Sequence, residues 1–171
     1  MALESVFILL GSNLGDRELL VNQANSMIEK QCGEVIVKSD MYESEPWGFK
    51  AQQWFLNEVV LLRTSFLPDE LMTTLLSIEK KLGRDRTAPH NGYVSRPIDL
   101  DILYFGEKIV DTQDVTAPHP RLHLRRFTLL PLCDIAPNFV HPVLKLTNRQ
   151  LLEQCHDFSE VKKYQSRCYE I

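Results

Sequence analysis

Arg96-Pro97-Ile98-Asp99-Leu100-Asp101-Ile102-Leu103-Tyr104-Phe105-Gly106 reads as a buried β-strand that carries two carboxylates two residues apart. Alternate residues of a strand point to the same face, about 7 Å apart. Asp99 and Asp101 therefore project side by side from one rigid element. Neighbouring carboxylates repel, and ionised carboxylates are rarely buried unpaired. One or two divalent cations would resolve that cost. An edge strand with its polar face in water would resolve it too.

Upstream of this strand lies a polar, helix-poor loop, Gly83–Pro97, and before it a helix over Asp69–Leu82. Pro68 starts that helix, and Leu71, Leu75, Ile78 and Leu82 form its inward stripe. Phe55–Arg63 is a strong strand, and Tyr42–Trp54 reads as a loop. Glu34–Met41 alternates as a strand. Arg17–Gln31 is helical, capped by Asp16 and stopped at Cys32-Gly33, with Leu20, Ala24, Met27 and Ile28 inward. Ser5–Leu10 is a short apolar strand, followed by the turn Gly11–Asp16. The order is β-α-β-β-α-β. It fits an α+β fold, the ferredoxin-like sandwich with an antiparallel sheet and both helices on one face. After Gly106 a short hairpin and two helices are expected, over Leu124–Leu132 and Thr147–Cys155. Neither a linker nor an internal repeat divides the 171 residues, which fit a single domain.

The net charge of −4 and pI near 5.7 argue against general nucleic-acid or membrane binding. Six of the ten arginines nevertheless lie between Arg84 and Arg126, a stretch with one lysine. Arginine without lysine suits directional contacts to oxyanions, although six acids in the same stretch offer alternative partners. The four cysteines form no CxxC pair and read as reduced thiols, which points to the cytoplasm. Val6–Leu10 is too short for a signal peptide or membrane span.

Two loops carry unusual contents. Tyr42–Phe55 holds Tyr42, Trp47, Phe49, Trp54 and Phe55 among Ser, Glu, Gly and Gln. Such a loop suits a flat ring ligand, or is stapled to the core by its own rings. Asn57 offers donors and an acceptor to a heterocycle edge. Gly83–Pro97 carries Arg84, Arg86 and Arg96 and runs straight into the acid pair. Carboxylates for Mg²⁺ beside guanidinium groups fit a nucleoside triphosphate. His119, Arg121, Arg125 and Arg126 add donors, and Phe127 adds a ring. There is no GxxxxGK[ST], GxGxxG, HExxH or GxSxG, so a triphosphate site here would not be of the P-loop, dinucleotide or protein-kinase type.

Seven pieces in order carry a resemblance: GSNLGD at Gly11–Asp16, SEPWG at Ser44–Gly48, FLN at Phe55–Asn57, IEKKLGRDR at Ile78–Arg86, RPIDLDILYFG at Arg96–Gly106, PHPR at Pro118–Arg121 and RRFTLLPLCDIAP at Arg125–Pro137. Together they resemble the 6-hydroxymethyl-7,8-dihydropterin pyrophosphokinases of folate biosynthesis. The resemblance implies a Mg²⁺-dependent transfer of pyrophosphate from ATP to the pterin hydroxymethyl group, releasing AMP. It implies two Mg²⁺ ions on Asp99 and Asp101. Phe55 and Phe127 would sandwich the pterin, with Asn57, Ser44, Pro46, Trp47 and Asp99 at its edge. Glu79, Arg84, Arg86, Arg96, Ile102, His119 and Arg125 would face ATP, and Arg86 and Arg96 would act in catalysis with the two acids. The chain departs from one family pattern near Tyr93, at Pro120 and in a longer Gly83–Pro97 loop. The implied partners are ATP and the pterin, with no nucleic acid or membrane, and a monomer is expected. A ferredoxin-like nucleic-acid or ligand-binding module and a metal-dependent phosphohydrolase are the alternatives.

Overall fold

The computed structural model describes residues 2–46, 53–84 and 96–167. The site residues expected at Trp47 and Arg86, and the departure near Tyr93, lie outside those residues. The main sheet is antiparallel and runs β5 (Asp99–Phe105), β1 (Glu4–Ser12), β4 (Phe55–Thr64), β3 (Tyr42–Ser44), β8 (Val161–Lys163), with β2 (Glu34–Lys38) also on β4. A second, two-stranded piece joins β6 (Val110–Asp111) to β7 (Thr116–Ala117), the expected hairpin.

Helices α1 (Arg17–Gln31) and α2 (Pro68–Lys81) pack on one face of the sheet. Asp16 accepts the Leu19 amide at 3.2 Å, so the expected cap forms. Along α2, Leu71, Leu75 and Ile78 are fully buried at helical spacing. They meet Val6, Ile8 and Leu10 of β1 and Leu100 and Ile102 of β5. Each such side chain contributes roughly 1.5–3 kcal/mol through removal from water. On α1 the inward stripe is Val21, Ala24 and Ile28, one position on from the expected Leu20. Met27 packs partly against the same core.

The opposite face is covered over part of its length. There α3 (Arg126–Ile135) and α4 (Asn148–Gln154) bury Leu129, Leu132 and Leu151 against Phe7, Leu9, Val59, Leu103 and Tyr104. The helix expected at Leu124–Leu132 thus begins later and ends later, after a 3₁₀ turn at Leu122–Leu124. Pro131 is tolerated within it, and Tyr104 Oη bonds Asn148 at 2.7 Å to lock α4 onto β5.

Three local features differ from the sequence reading. The strand expected over Glu34–Met41 stops at Lys38, and a second short strand, β3, begins at Tyr42 inside the expected loop. Both halves pair with β4, so they form one broken edge. The pairing of β1 with β5 slips by one residue between Phe7 and Ile8, leaving Leu103 without a β1 partner. Leu103 and Tyr104 consequently both face α3 and α4, whereas Asp101 keeps the strict alternation from Asp99. Lastly, the chain after α4 returns to the sheet as β8, an element the sequence reading lacks.

Candidate active site

Where α3 and α4 leave the second sheet face uncovered, the ends of β1, β4 and β5 form the floor of a cleft of about 360 Å³. Gly11, Asn57, Asp99 and Asp101 lie on that floor. The register explains the grouping, because Gly11 of β1 sits between Asn57 on one side and Asp99 on the other. A Cβ on Gly11 would stand 3.3 Å from Asn57 Oδ1, so the bare glycine keeps the floor low. Asn57 is buried and donates through Nδ2 to Ser44 Oγ at 2.8 Å, which fixes the amide plane. Phe55 and Phe127 line the same cleft from β4 and α3.

The acid pair is built from behind. Glu79 is 1% exposed on α2 and accepts the Leu100 amide, the residue between the two aspartates, at 2.8 Å. It also receives Arg84 Nη1 at 3.2 Å. Gly83, at φ +101°, ends α2 and turns the chain so that Arg84 doubles back over β5. Arg84 Nη1 then lies 2.5 Å from Asp99 Oδ1, and Arg96 Nη1 lies 3.2 Å from Asp99 Oδ2. Arg96 is clipped in turn by Asn13, which accepts its amide at 2.7 Å and donates its own to the Arg96 carbonyl at 3.1 Å. Burial and the neighbouring Asp99 charge push the Asp101 carboxyl well above the usual range, against the pull of Arg125 and Arg96.

His119, Pro120, Arg121 and Arg125 form the remaining rim. His119 Nδ1 accepts the Arg121 amide at 3.1 Å, which leaves the proton of the neutral ring on Nε2. Burial, with the Arg125 charge, pushes His119 down to about 4. Its neutral ring is therefore a hydrogen-bond donor at neutral pH. The Arg125 guanidinium sits 5.5 Å from the centroid of Phe127, at the junction of the ring side and the cationic side.

The structure thus brings Ser44, Phe55, Asn57, Arg84, Arg96, Asp99, Asp101, His119, Arg125 and Phe127 to one cleft. Two expected ATP-side residues are placed differently. Glu79 lies beneath the cleft as a support for Leu100 and Arg84, because its helix faces the back of β5. The Ile102 side chain packs into the core under α1 and α2, since it alternates with Asp101. Pro46 is outside the cleft lining, whereas Glu45 next to it is part of it. Leu9, Gly11 and Glu45 also line the cleft without an assigned role in the sequence reading, as does Arg121, expected there only as a further donor. The PHPR piece already offered Arg121 as a donor, and the parity of β1 could have placed Leu9 and Gly11. No three acids, histidines or cysteines gather into a closed metal cage among the described residues. Two oxygen-donor aspartates on one open floor still fit Mg²⁺, which keeps several waters and takes the rest of its shell from phosphate oxygens. The open sheet face carries two acids, unlike the basic, aromatic platform of an RNA-binding sheet. No helix among the described residues is long and apolar enough to cross a membrane.

Comparison with known proteins gives this geometry a family. Residues 7–137 match the 7,8-dihydro-6-hydroxymethylpterin-pyrophosphokinase (HPPK) family. The chain is 40% identical over 138 residues to a 2-amino-4-hydroxy-6-hydroxymethyldihydropteridine pyrophosphokinase of Porphyromonas gingivalis, covering 80% of this chain and 93% of that one. The Aquifex aeolicus protein of the same name is 38% identical over 141 residues, covering 82% and 86%. Folic acid synthesis protein fol1 of Pneumocystis carinii is 39% identical over 160 residues, which are 92% of this chain but 21% of that longer protein. The fold is shared with a crystal structure of an HPPK-DHPS in complex with substrates, at TM-score 0.74 and 15% identity. This chain spans 43% of that chain's length and 90% of its own. Plasmodium falciparum HPPK-DHPS with pteroate gives TM-score 0.71 at 18% identity, over 89% of this chain and 42% of that one. By its match over residues 7–137 and its relatives of near-equal length, the chain belongs to the 7,8-dihydro-6-hydroxymethylpterin-pyrophosphokinase family.

Proposed function

We propose that the chain, as a single domain, transfers the pyrophosphoryl group of ATP to the hydroxymethyl oxygen of 6-hydroxymethyl-7,8-dihydropterin, releasing AMP in a Mg²⁺-dependent reaction. The observation that carries this reading is that Asp99 and Asp101 share one cleft with two phenyl rings and a set of guanidinium groups. Phe55 and Phe127, which both line the cleft, offer ring faces to a flat bicyclic ligand, with stacking added to area burial. Asn57, held by Ser44, presents an amide to the ring edge. Arg84, Arg96, Arg121 and Arg125 give the other half of the cleft the charge that a triphosphate needs.

Asp99 and Asp101 would hold Mg²⁺. When bound, the metal neutralises and orients the phosphates. The side chains of the chain do the rest. Arg84 and Arg96 sit at Asp99 and can move their charge onto the incoming phosphate oxygens. His119 Nε2–H donates without adding a competing charge. Transfer needs the hydroxymethyl oxygen in line with the β-phosphorus, and a ring held at Phe55 and Phe127 would supply that positioning. The new O–P bond forms there as the bond from the β-phosphorus to the oxygen it shares with the α-phosphate breaks, and AMP departs with that oxygen. Because the transition state of phosphoryl transfer is loose, the hydroxyl proton leaves late, to water or a phosphate oxygen of the departing AMP, and positioning dominates the rate. The test is an ATP-consumption assay with and without pterin and with Mg²⁺ replaced by chelator. AMP appearing only with both present supports the reading. Phosphate release without pterin, as from a phosphohydrolase, overturns it.

A further inference from the structure

The chain beyond residue 137 lies outside the stretch matched by the family, yet its last described segment touches Arg126 beside Phe127 on one side and Glu45 and Trp54, near Ser44 and Phe55, on the other. Asp157 follows α4 and reaches the start of α3, where its Oδ2 accepts the Arg126 amide at 2.9 Å. The first amides of a helix have no intrahelical acceptor, and a carboxylate there also meets the positive end of the helix dipole. Arg126 lies between Arg125 and Phe127, so this contact joins the Thr128 and Leu129 amide bonds to the Arg125 carbonyl in fixing the backbone that carries the Phe127 ring. Asp157 is itself fixed, since its Oδ1 accepts the Ser159 amide at 3.0 Å. Those bonds hold its carboxyl below the usual range although burial alone would raise it.

Three residues later the same segment reaches the opposite wall. The Glu160 amide donates to Glu45 Oε1 at 2.8 Å, and the Glu45 amide donates to the Glu160 carbonyl at 3.3 Å. β8 then pairs with β3 in the register Ser44↔Val161, Glu43↔Lys162, Tyr42↔Lys163. Three-residue β3 would otherwise be a bare edge, and unpaired edges are the least fixed part of a sheet. β3 carries Ser44, which holds Asn57 at the cleft floor. The Lys162 ammonium sits 5.3 Å from the ring centroid of Trp54, the residue before Phe55. Beyond β8, Tyr164 and Arg167 fasten the segment to Glu18 at the start of α1.

We propose that Asp157–Lys163 is a strap that positions the ring slot: Asp157 sets the Phe127 wall, β8 sets the Ser44–Phe55 wall, and the strap thereby raises affinity for a flat ring ligand that it does not touch. This rests on the pterin reading above. Strap contacts and ring binding are then linked, and linkage is reciprocal. A ring ligand should tighten the strap as much as the strap tightens the ring.

The test uses the full chain and 6-hydroxymethylpterin as probe. In the wild type, amide hydrogen exchange at Arg126 and at Val161–Lys163 should slow on adding the pterin. In Asp157→Ala, pterin affinity by calorimetry should fall by about fivefold or more, about 1 kcal/mol. ATP affinity should fall by a smaller factor. Asp157→Asn keeps an acceptor for the Arg126 amide and should fall between the two. Exchange that does not respond to the pterin in the wild type, or wild-type pterin affinity in a folded Asp157→Ala, overturns the strap while leaving the proposed function standing. Failure of the wild type to bind the pterin at all overturns both.

Discussion

Arg84 Nη1 lies 2.5 Å from Asp99 Oδ1, so the first acid of the strand meets the cleft already paired with a residue from the end of α2. Asp101 stands beside it with a proton affinity raised by burial and by Asp99 itself. The two acids are thus inequivalent, and their loss should read differently. Asp99→Asn and Asp101→Asn should each cut Mg²⁺-dependent AMP formation by about 10²-fold or more, as for other losses of preorganised charge stabilisation. Above about pH 8, where Asp101 ionises, Asp101→Asn should raise the melting temperature of the ligand-free protein relative to wild type, because it removes a desolvated like charge. Initial rates and thermal melts check both halves, and wild-type turnover in either variant contradicts the metal assignment.

His119 gives a pH signature. Its folded-state value near 4 lies below the ordinary 6.5. Between those values an unfolded chain binds a proton that the folded one does not. The stability it contributes is complete above the ordinary value and is lost as pH falls through that window. His119→Gln does not titrate there. The melting temperature of the variant should therefore gain on the wild type as pH drops from about 6.5 to about 4. A constant difference across the window contradicts an imidazole held neutral in the folded protein.

Glu79 separates support from contact. Glu79→Ala leaves the Leu100 amide without its buried acceptor and Arg84 to Asp99 and the Ile98 carbonyl, a loss of roughly 2–3 kcal/mol in urea denaturation. Glu79→Gln keeps an acceptor for Leu100 and should cost less, about 1–2 kcal/mol. An unchanged denaturation midpoint in Glu79→Ala, with weakened ATP binding, would instead place this carboxylate against the nucleotide.

Gly11 tests the floor. A methyl group there meets Asn57 Oδ1 at 3.3 Å. Gly11→Ala should raise KM for the pterin by about tenfold, the equivalent of some 1.4 kcal/mol, with KM for ATP within about twofold. Steady-state kinetics with each substrate varied in turn decides it. An equal effect on both substrates contradicts the division of the cleft into a ring side and a phosphate side.

Much of this was legible in the chain. Period-two alternation placed Asp99 and Asp101 on one face, and helical spacing placed Leu71, Leu75 and Ile78 inward. The same alternation assigns Ile102 to the opposite face from Asp101, so its side-chain placement was available from parity alone. What was not legible depends on distant partners. The sequence Val161-Lys162-Lys163 has no strand pattern of its own and becomes β8 through its pairing with β3. The break of the edge strand after Lys38 comes from two separate pairings on β4. The position of α3 and α4 across part of the second face makes a cleft out of the remainder, and local propensity carries no such information.

The most direct measurement is the fate of the phosphates. ATP, Mg²⁺ and 6-hydroxymethyl-7,8-dihydropterin are incubated with the protein, and the products are identified by ³¹P NMR and mass spectrometry. The account predicts a pterin carrying both the former β- and γ-phosphates, formed one for one with AMP. A monophosphorylated pterin with ADP, or free phosphate with unmodified pterin, would contradict it.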